Sequence, residues 1–179
     1  MRRAQLEHVI RAAATIADDD EIVIVGSQSI LGQFPDAPDE LCVSNEADIY
    51  PKNHRGRWEL IDGTIGELSP FHDTFGYYAQ GVREGTAVLP NGWEERLIPI
   101  RTPGTRGATG YCLEVHDLVV SKYVANRDKD RRFVKAAIRH GMVDRGTLAA
   151  RLARTPLPDE RLRSHLLALT DADFRTLAR

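Results

Sequence analysis

The sequence predicts an α+β fold: a mixed β-sheet with flanking helices over residues 1–113, and a small helical region over 114–179 packed on that core. Three observations predict it. Short β-branched runs, Ile22-Val23-Ile24-Val25 above all, alternate with helix-compatible segments in the first part. From His116 onward the text is helical, with breaks at Gly141, Gly146 and Thr155-Pro156-Leu157-Pro158. A chain of 179 residues, 42% of them hydrophobic, suffices for one domain or for a compact domain with a helical appendage.

The elements follow in order. Leu6, Val9, Ile10, Ala13, Ile16 and Ala17 recur at helical spacing, which predicts an amphipathic helix over 3–17, ended by Asp18-Asp19-Asp20. A strand over 22–25 leads through Gly26-Ser27 into a short helix near 28–33, stopped by Pro35-Asp36-Ala37-Pro38. A second strand over 46–50 closes at Pro51, and 57–62 fits a short helix, while 63–85 carries no clear period. Ala87-Val88-Leu89, the turn Pro90-Asn91-Gly92 and the run from Trp93 to Ile100 read as a hairpin, because Asn-Gly favours that turn. Residues 101–110 read as a mobile loop without the Gly-Lys-Ser/Thr ending of a P-loop. Asp159 and Glu160 open the last helix, where acids complement the dipole.

Composition narrows the function classes. No apolar run approaches the roughly 18 residues of a membrane span. The start, Met1-Arg2-Arg3-Ala4, leads into an amphipathic pattern, so no secretory signal is expected. Cys42 and Cys112 are too few and too far apart for a disulfide framework or a zinc site, and a reducing cytoplasm is the expected compartment. His8, His54, His72, His116, His140 and His165 have no metal-ligand spacing. Charge is unevenly spread: 11 basic and 19 acidic side chains over 1–126 give −8, whereas 13 basic and 7 acidic over 127–179 give +6. A basic tail behind an acidic part suits a nucleic-acid substrate, because phosphate contacts supply most sequence-independent affinity.

The most informative stretch is Ile22-Val23-Ile24-Val25-Gly26-Ser27, followed by Glu46-Ala47-Asp48-Ile49-Tyr50. Side chains two apart on a strand share a face, so Glu46 and Asp48 point together. Like charges that close repel unless a cation lies between them, and oxygen ligands suit Mg²⁺. A Gly-Ser turn entering a helix offers backbone N–H groups to phosphate. Metal and polyphosphate side by side point to nucleotidyl transfer.

These residues resemble the nucleotidyltransferase superfamily with the DNA polymerase β-like fold, whose signature is an apolar strand, Gly-Ser or Gly-Gly, a spacer and an acid-x-acid strand. The first acid here is Glu46, where Asp is usual. The resemblance implies a nucleotidyltransferase-type sheet, a nucleoside triphosphate substrate, and a Mg²⁺ or two-metal site on Glu46 and Asp48. A third carboxylate from a neighbouring strand usually completes such a site; Glu94, Glu95, Glu114 and Asp73 all remain open.

A second segment, from Leu118 to Asp130, places Lys122, Asn126 and Asp130 at i, i+4 and i+8, on one face if a single helix runs through. Four lysines stand beside twenty arginines, so a lysine in an apolar helix stands out. A compact ammonium suits the β- and γ-phosphates of a nucleotide. Lys122, Arg127 and Asp130 resemble the Lys and Arg-x-x-Asp of the nucleotidyltransferase-like toxins of bacterial toxin–antitoxin and abortive-infection systems. That likeness implies that Gly26, Ser27, Lys122 and Arg127 bind nucleotide and that Asp130 assists catalysis. It implies transfer to RNA such as the tRNA 3′ end, and a cognate antitoxin protein as partner. A small-molecule or protein acceptor, or a catalytically inactive binding module, are the alternatives. Trp58, Trp93, Phe71, Phe75, Tyr77 and Tyr78 are expected in the core.

Overall fold

The computed structural model describes residues 1–177, so the last two residues of the predicted 114–179 region lie outside the described part. In chain order the elements are α1 (Arg3–Ala17), β1 (Glu21–Ile24), a 3₁₀ turn (Ser27–Ser29), α2 (Ile30–Gln33), β2 (Glu46–Pro51), α3 (Trp58–Ile65), α4 (Pro70–Phe75) and β3 (Tyr78–Gly81). There follow β4 (Ile98–Ile100), β5 (Thr109–Cys112), α5 (Val115–Ala125), α6 (Asp128–Arg139), α7 (Arg145–Ala153) and α8 (Glu160–Leu177). Backbone contacts divide the chain into two compact units, one of Met1–Ala87 with Leu97–Leu113, the other of Val88–Arg96 with the chain from Glu114 onward.

The first unit is a five-stranded mixed sheet of order β3-β2-β1-β5-β4, the α+β architecture that the strand and helix patterns predict. Strand β1 pairs antiparallel with β2 and parallel with β5, β2 runs parallel to β3, and β4 is antiparallel to β5. The registers place Ile24, Ile49, Gly81, Gly110 and Cys112 on one face, since cross-strand partners share a face. Helices α1, α2 and α3 cover that face. A Cβ at Gly110 would lie 2.9 Å from Ile10 Cγ1, one at Gly32 within 3.0 Å of Cys112 Sγ, and one at Gly81 2.9 Å from Asp62 N. Leu6, Ile10, Ile22, Ile24, Ile49 and Ile61 fill the resulting core and are fully buried. Glu46 and Asp48, on the alternate positions of β2, take the opposite face.

The second unit is helical. Helix α5 is buried along nearly its whole length, α6 and α7 pack on it, and α8 packs on both of those. Arg96 donates to both oxygens of fully buried Asp117 at 2.8 and 3.1 Å, and Arg151 approaches the same carboxylate at 3.4 Å. That clamp ties the segment 88–96 to α5. Among the described residues no helix is long and apolar enough to cross a membrane.

Four expectations are corrected. The hairpin over 87–100 does not form: Gly92 turns at φ 76° into a 3₁₀ helix (Trp93–Arg96), and β4 pairs with β5 instead. The predicted loop over 101–110 contains a 3₁₀ turn at Pro103–Thr105 and the first two residues of β5, which borders the centre of the sheet. Gly110 hid that strand. Glycine inside a strand costs roughly 0.5–1 kcal/mol, but its missing Cβ lets Ile10 bury fully, worth roughly 1.5–3 kcal/mol. Gly146 does not break a helix; it lies in the first turn of α7, capped by Asp144, whose carboxylate accepts from Thr147 N at 2.7 Å. Finally, Phe75 is 45% exposed and Trp58, Trp93 and Phe71 are only half-buried, so of the six aromatics expected in the core only Tyr77 and Tyr78 are buried.

Candidate active site

The antiparallel register Ile24↔Ile49 brings the end of β1 beside the middle of β2, and Val25 N donates to Asp48 O at 3.0 Å. Gly26 therefore lies directly against the Asp48 side chain. A Cβ at Gly26 would stand 2.7 Å from Asp48 Cγ and closer still to Oδ2. Only glycine leaves that carboxylate room. The turn after it is short: three 3₁₀ residues and then the four residues of α2, so little helix dipole develops there. Ser29 Oγ donates to Ile24 O at 2.6 Å and buried Gln28 donates to Ser44 O at 3.2 Å, both locking the turn to its own strand ends. Ser27 alone of the three keeps partial exposure.

Glu46 and Asp48 are both half-buried on one face of β2. Strand β3 supplies their neighbours, Tyr78 across from Glu46 and Gln80 across from Asp48. Tyr78 Oη donates to Glu46 Oε2 at 3.1 Å, and the His72 ring packs against the Tyr78 ring at a tilt of 48°, centroids 4.6 Å apart. Burial, then the Glu46 hydrogen bond and the charges of Glu46, Glu67 and Asp48, push the Tyr78 phenol up to about 12, so it is a donor at any physiological pH. Gln80 is held by Asp62, accepting at 2.7 Å. Asp73 is exposed on α4, Glu94 and Glu95 lie in the 3₁₀ turn of the second unit, and Glu114 caps α5 and accepts from His116 Nδ1 at 2.7 Å. Among the described residues no group of three or more His, Cys, Asp or Glu could hold a metal. The pair does offer carboxylate oxygens, the ligand type that a hard divalent cation prefers, beside the bare backbone of Gly26.

Lys122, Arg127 and Asp130 come together in the second unit, though not by the predicted route. One helix does not run through them. Helix α5 ends at Ala125, Asn126 adopts a left-handed conformation at φ 50°, and α6 starts at Asp128. The break folds α6 back on α5, so Lys122 Nζ meets Asp130 Oδ1 at 3.1 Å while Arg127 Nε meets Oδ2 at 2.6 Å. Lys122 is 7% and Asp130 1% exposed. Burial raises the Asp130 carboxyl, but the Arg127 hydrogen bond and the Lys122 charge outweigh it and hold the group below the usual carboxylate range. With both oxygens paired, Asp130 is a poor general base. It reads better as the group that positions Lys122. Asn126 contributes no side chain to this pair; its carbonyl oxygen Oδ1 accepts from Arg131 at 3.3 Å.

A cavity of about 660 Å³, lined among others by His8, Arg11, Asp18 and Arg106, opens where α1 ends and β1 begins. Glu46, Asp48 and Gly26 lie at the other end of β1 and line none of it. Its mixed charges mark no ligand class, and the carboxylate face defines the chemistry better.

Tyr78 and Gln80 were not read from the sequence as neighbours of the carboxylates. Their signal was the run Tyr77-Tyr78-Ala79-Gln80 between Gly76 and Gly81, a strand-length β-prone stretch bounded by glycines.

The chain thus places an acid-x-acid strand beside a Gly-Ser turn in a mixed sheet. Residues 4–168 match the family described as nucleotidyltransferase of unknown function (DUF6036), and the chain belongs to that family. No curated protein and no solved structure matches it.

Proposed function

We propose that this protein is a Mg²⁺-dependent nucleotidyltransferase that moves a nucleoside monophosphate from a nucleoside triphosphate to an RNA hydroxyl, the tRNA 3′ end in the first instance. The observation that carries the reading is the contact of Gly26 with Asp48, which joins the turn and the acid-x-acid strand in one place. Glu46 and Asp48 would hold the ion, whose charge offsets that building up on the triphosphate. Gly26 lets the backbone approach the phosphates, and the Ser27 hydroxyl supplies a donor. The acceptor oxygen bonds to the α-phosphorus as the bond to pyrophosphate breaks, and the hydroxyl proton passes to solvent. Lys122 and Arg127, fixed by Asp130, are the cations proposed for phosphate contact.

An exposed basic stripe on α6, Lys129, Arg132, Lys135 and Arg139, supports RNA as the acceptor. A toxin-like role with a cognate antitoxin and a cytoplasmic setting completes the proposal. One observation favours a rival, a nucleotide-binding module without transfer: among the described residues no group of three or more His, Cys, Asp or Glu could hold a metal. Incubation with labelled ATP, CTP, GTP and UTP and total RNA separates the two. Label should enter RNA with the parent chain and not with Asp48→Asn; nucleotide bound without any transfer would select the rival.

A further inference from the structure

We infer that Leu68 and His72 form a nucleobase-binding lip beside the Glu46–Asp48 face. The inference rests on nucleotidyl transfer at that face, and it starts from a residue that breaks a local rule. Gly66, Glu67, Leu68 and Ser69 make a four-residue turn between α3 and α4, closed by Ser69 N donating to Gly66 O at 3.3 Å. Leu68, third in the turn, has φ 61°. A positive φ at that position calls for glycine or asparagine, and a leucine is held there under strain. Burial does not offset the strain, because Leu68 is 82% exposed. An apolar side chain kept both strained and in water fits a surface that meets a ligand.

The same turn fixes His72. Ser69 Oγ caps α4 by accepting from His72 N at 3.2 Å, and Leu68 N donates to His72 Nδ1 at 3.1 Å. A backbone N–H can only donate, so Nδ1 carries no proton and Nε2 carries it. Among the described residues Nε2 makes no hydrogen bond, and the imidazole is half-buried. Tyr78 joins the lip to the acids: the His72 ring packs against its ring, and its hydroxyl donates to Glu46. One apolar side chain and one oriented N–H thus stand a tyrosine's width from Glu46. Charge selects what they take. Glu67 and Asp73, the chain neighbours of Leu68 and His72, are exposed acids, and the Glu67 charge reaches Tyr78. Such surroundings repel phosphate and accept an uncharged base, whose face lies on Leu68 while a ring nitrogen or carbonyl oxygen accepts from Nε2. The incoming nucleoside triphosphate and the end of the RNA acceptor both carry such a base.

Calorimetry on the full chain tests the lip, with ATP, CTP, GTP and UTP, inorganic triphosphate and a short single-stranded RNA as separate titrants. Leu68→Gly relieves the strain, so it should unfold at the same or a higher urea concentration than the parent. It should nevertheless weaken a base-bearing titrant about three- to tenfold, the loss of one apolar contact, and leave inorganic triphosphate unchanged. His72→Asn keeps an acceptor for Leu68 N and removes the outer donor, and it should weaken the same titrant about two- to tenfold. A loss seen with nucleoside triphosphates places the incoming base on the lip, and a loss seen with RNA places the acceptor's base there. Unchanged affinities in Leu68→Gly, or a loss shared by inorganic triphosphate, would overturn the lip and leave the carboxylate site standing. Unchanged affinities in His72→Asn alone would remove the hydrogen bond and with it the two-residue lip. A parent chain that binds neither nucleoside triphosphate nor RNA would sink nucleotidyl transfer at this face together with the inference.

Discussion

At the scale of residues, the carboxylate face and the buried ion pair make opposite demands on stability. Glu46 and Asp48 repel in the absence of a cation, so Asp48→Asn should unfold at the same or higher denaturant concentration than the parent. Its transfer activity should fall by roughly a hundredfold or more. A urea titration beside the RNA-labelling assay checks both, and a large loss of stability would mean that the pair is structural. Gly26→Ala drives a methyl into Asp48 and should lower transfer while leaving the α5–α6 pair untouched. Lys122 behaves differently. Lys122→Met strands Asp130 with Arg127 alone and should cost about 3 kcal/mol, the low end for breaking a buried pair. Adding Asp130→Asn should restore part of that in urea unfolding. If Lys122 also contacts phosphate, the double variant should still bind nucleoside triphosphate roughly ten- to a hundredfold more weakly, as for a lost charge–phosphate contact. The pH dependence has a definite sign. Asp130 titrates below its unfolded value, so its contribution is complete above about pH 4 and is lost as pH falls through the lower folded value. Stability measured from neutral to strongly acid pH should therefore fall less steeply in Asp130→Asn.

At the scale of elements, the join between α5 and α6 decides whether Lys122 meets Asp130. Asn126 makes that turn with a positive φ, which asparagine tolerates and β-branched residues resist. Asn126→Gly should be nearly neutral in thermal unfolding, whereas Asn126→Val should cost roughly 1–2 kcal/mol. Equal stability of the two would show that the turn relaxes at no cost. The same join marks where periodicity misleads: i, i+4, i+8 spacing placed Lys122 and Asp130 together on one helix, and they meet instead across a break. Strand β2 was legible because apolar Ala47 and Ile49 alternate with Glu46 and Asp48. Strand β5 was not, because Thr109-Gly110 carries turn-prone residues and owes its extended form to pairing with β1. Strand β3 was hidden for a related reason, being four residues long and stabilised by β2 and α3.

At the scale of the whole molecule, the uneven charge sets how an RNA acceptor would be held. The +6 over 127–179 and the stripe on α6 predict affinity that falls steeply with salt. Reversing Arg132 and Lys135 together, Arg132→Glu with Lys135→Glu, should flatten the salt dependence of RNA binding and leave nucleoside triphosphate affinity unchanged. Filter binding at several salt concentrations reads the first and calorimetry the second; unchanged RNA affinity would redirect the search toward a small or protein acceptor.

The sequence by itself determined the local chemistry: which strand carries the acids, which turn precedes it, which helix holds the lysine, and that the chain is α+β. Those follow from side-chain alternation, turn propensity and helical period, which act over a few residues. Tertiary structure decided what those residues face. That Gly26 abuts Asp48 depends on the β1–β2 register. That Tyr78 and Gln80 border the carboxylates depends on a β2–β3 pairing across a gap of some thirty residues. Pairings between distant segments are fixed by the burial that they complete together, and no local window contains that information.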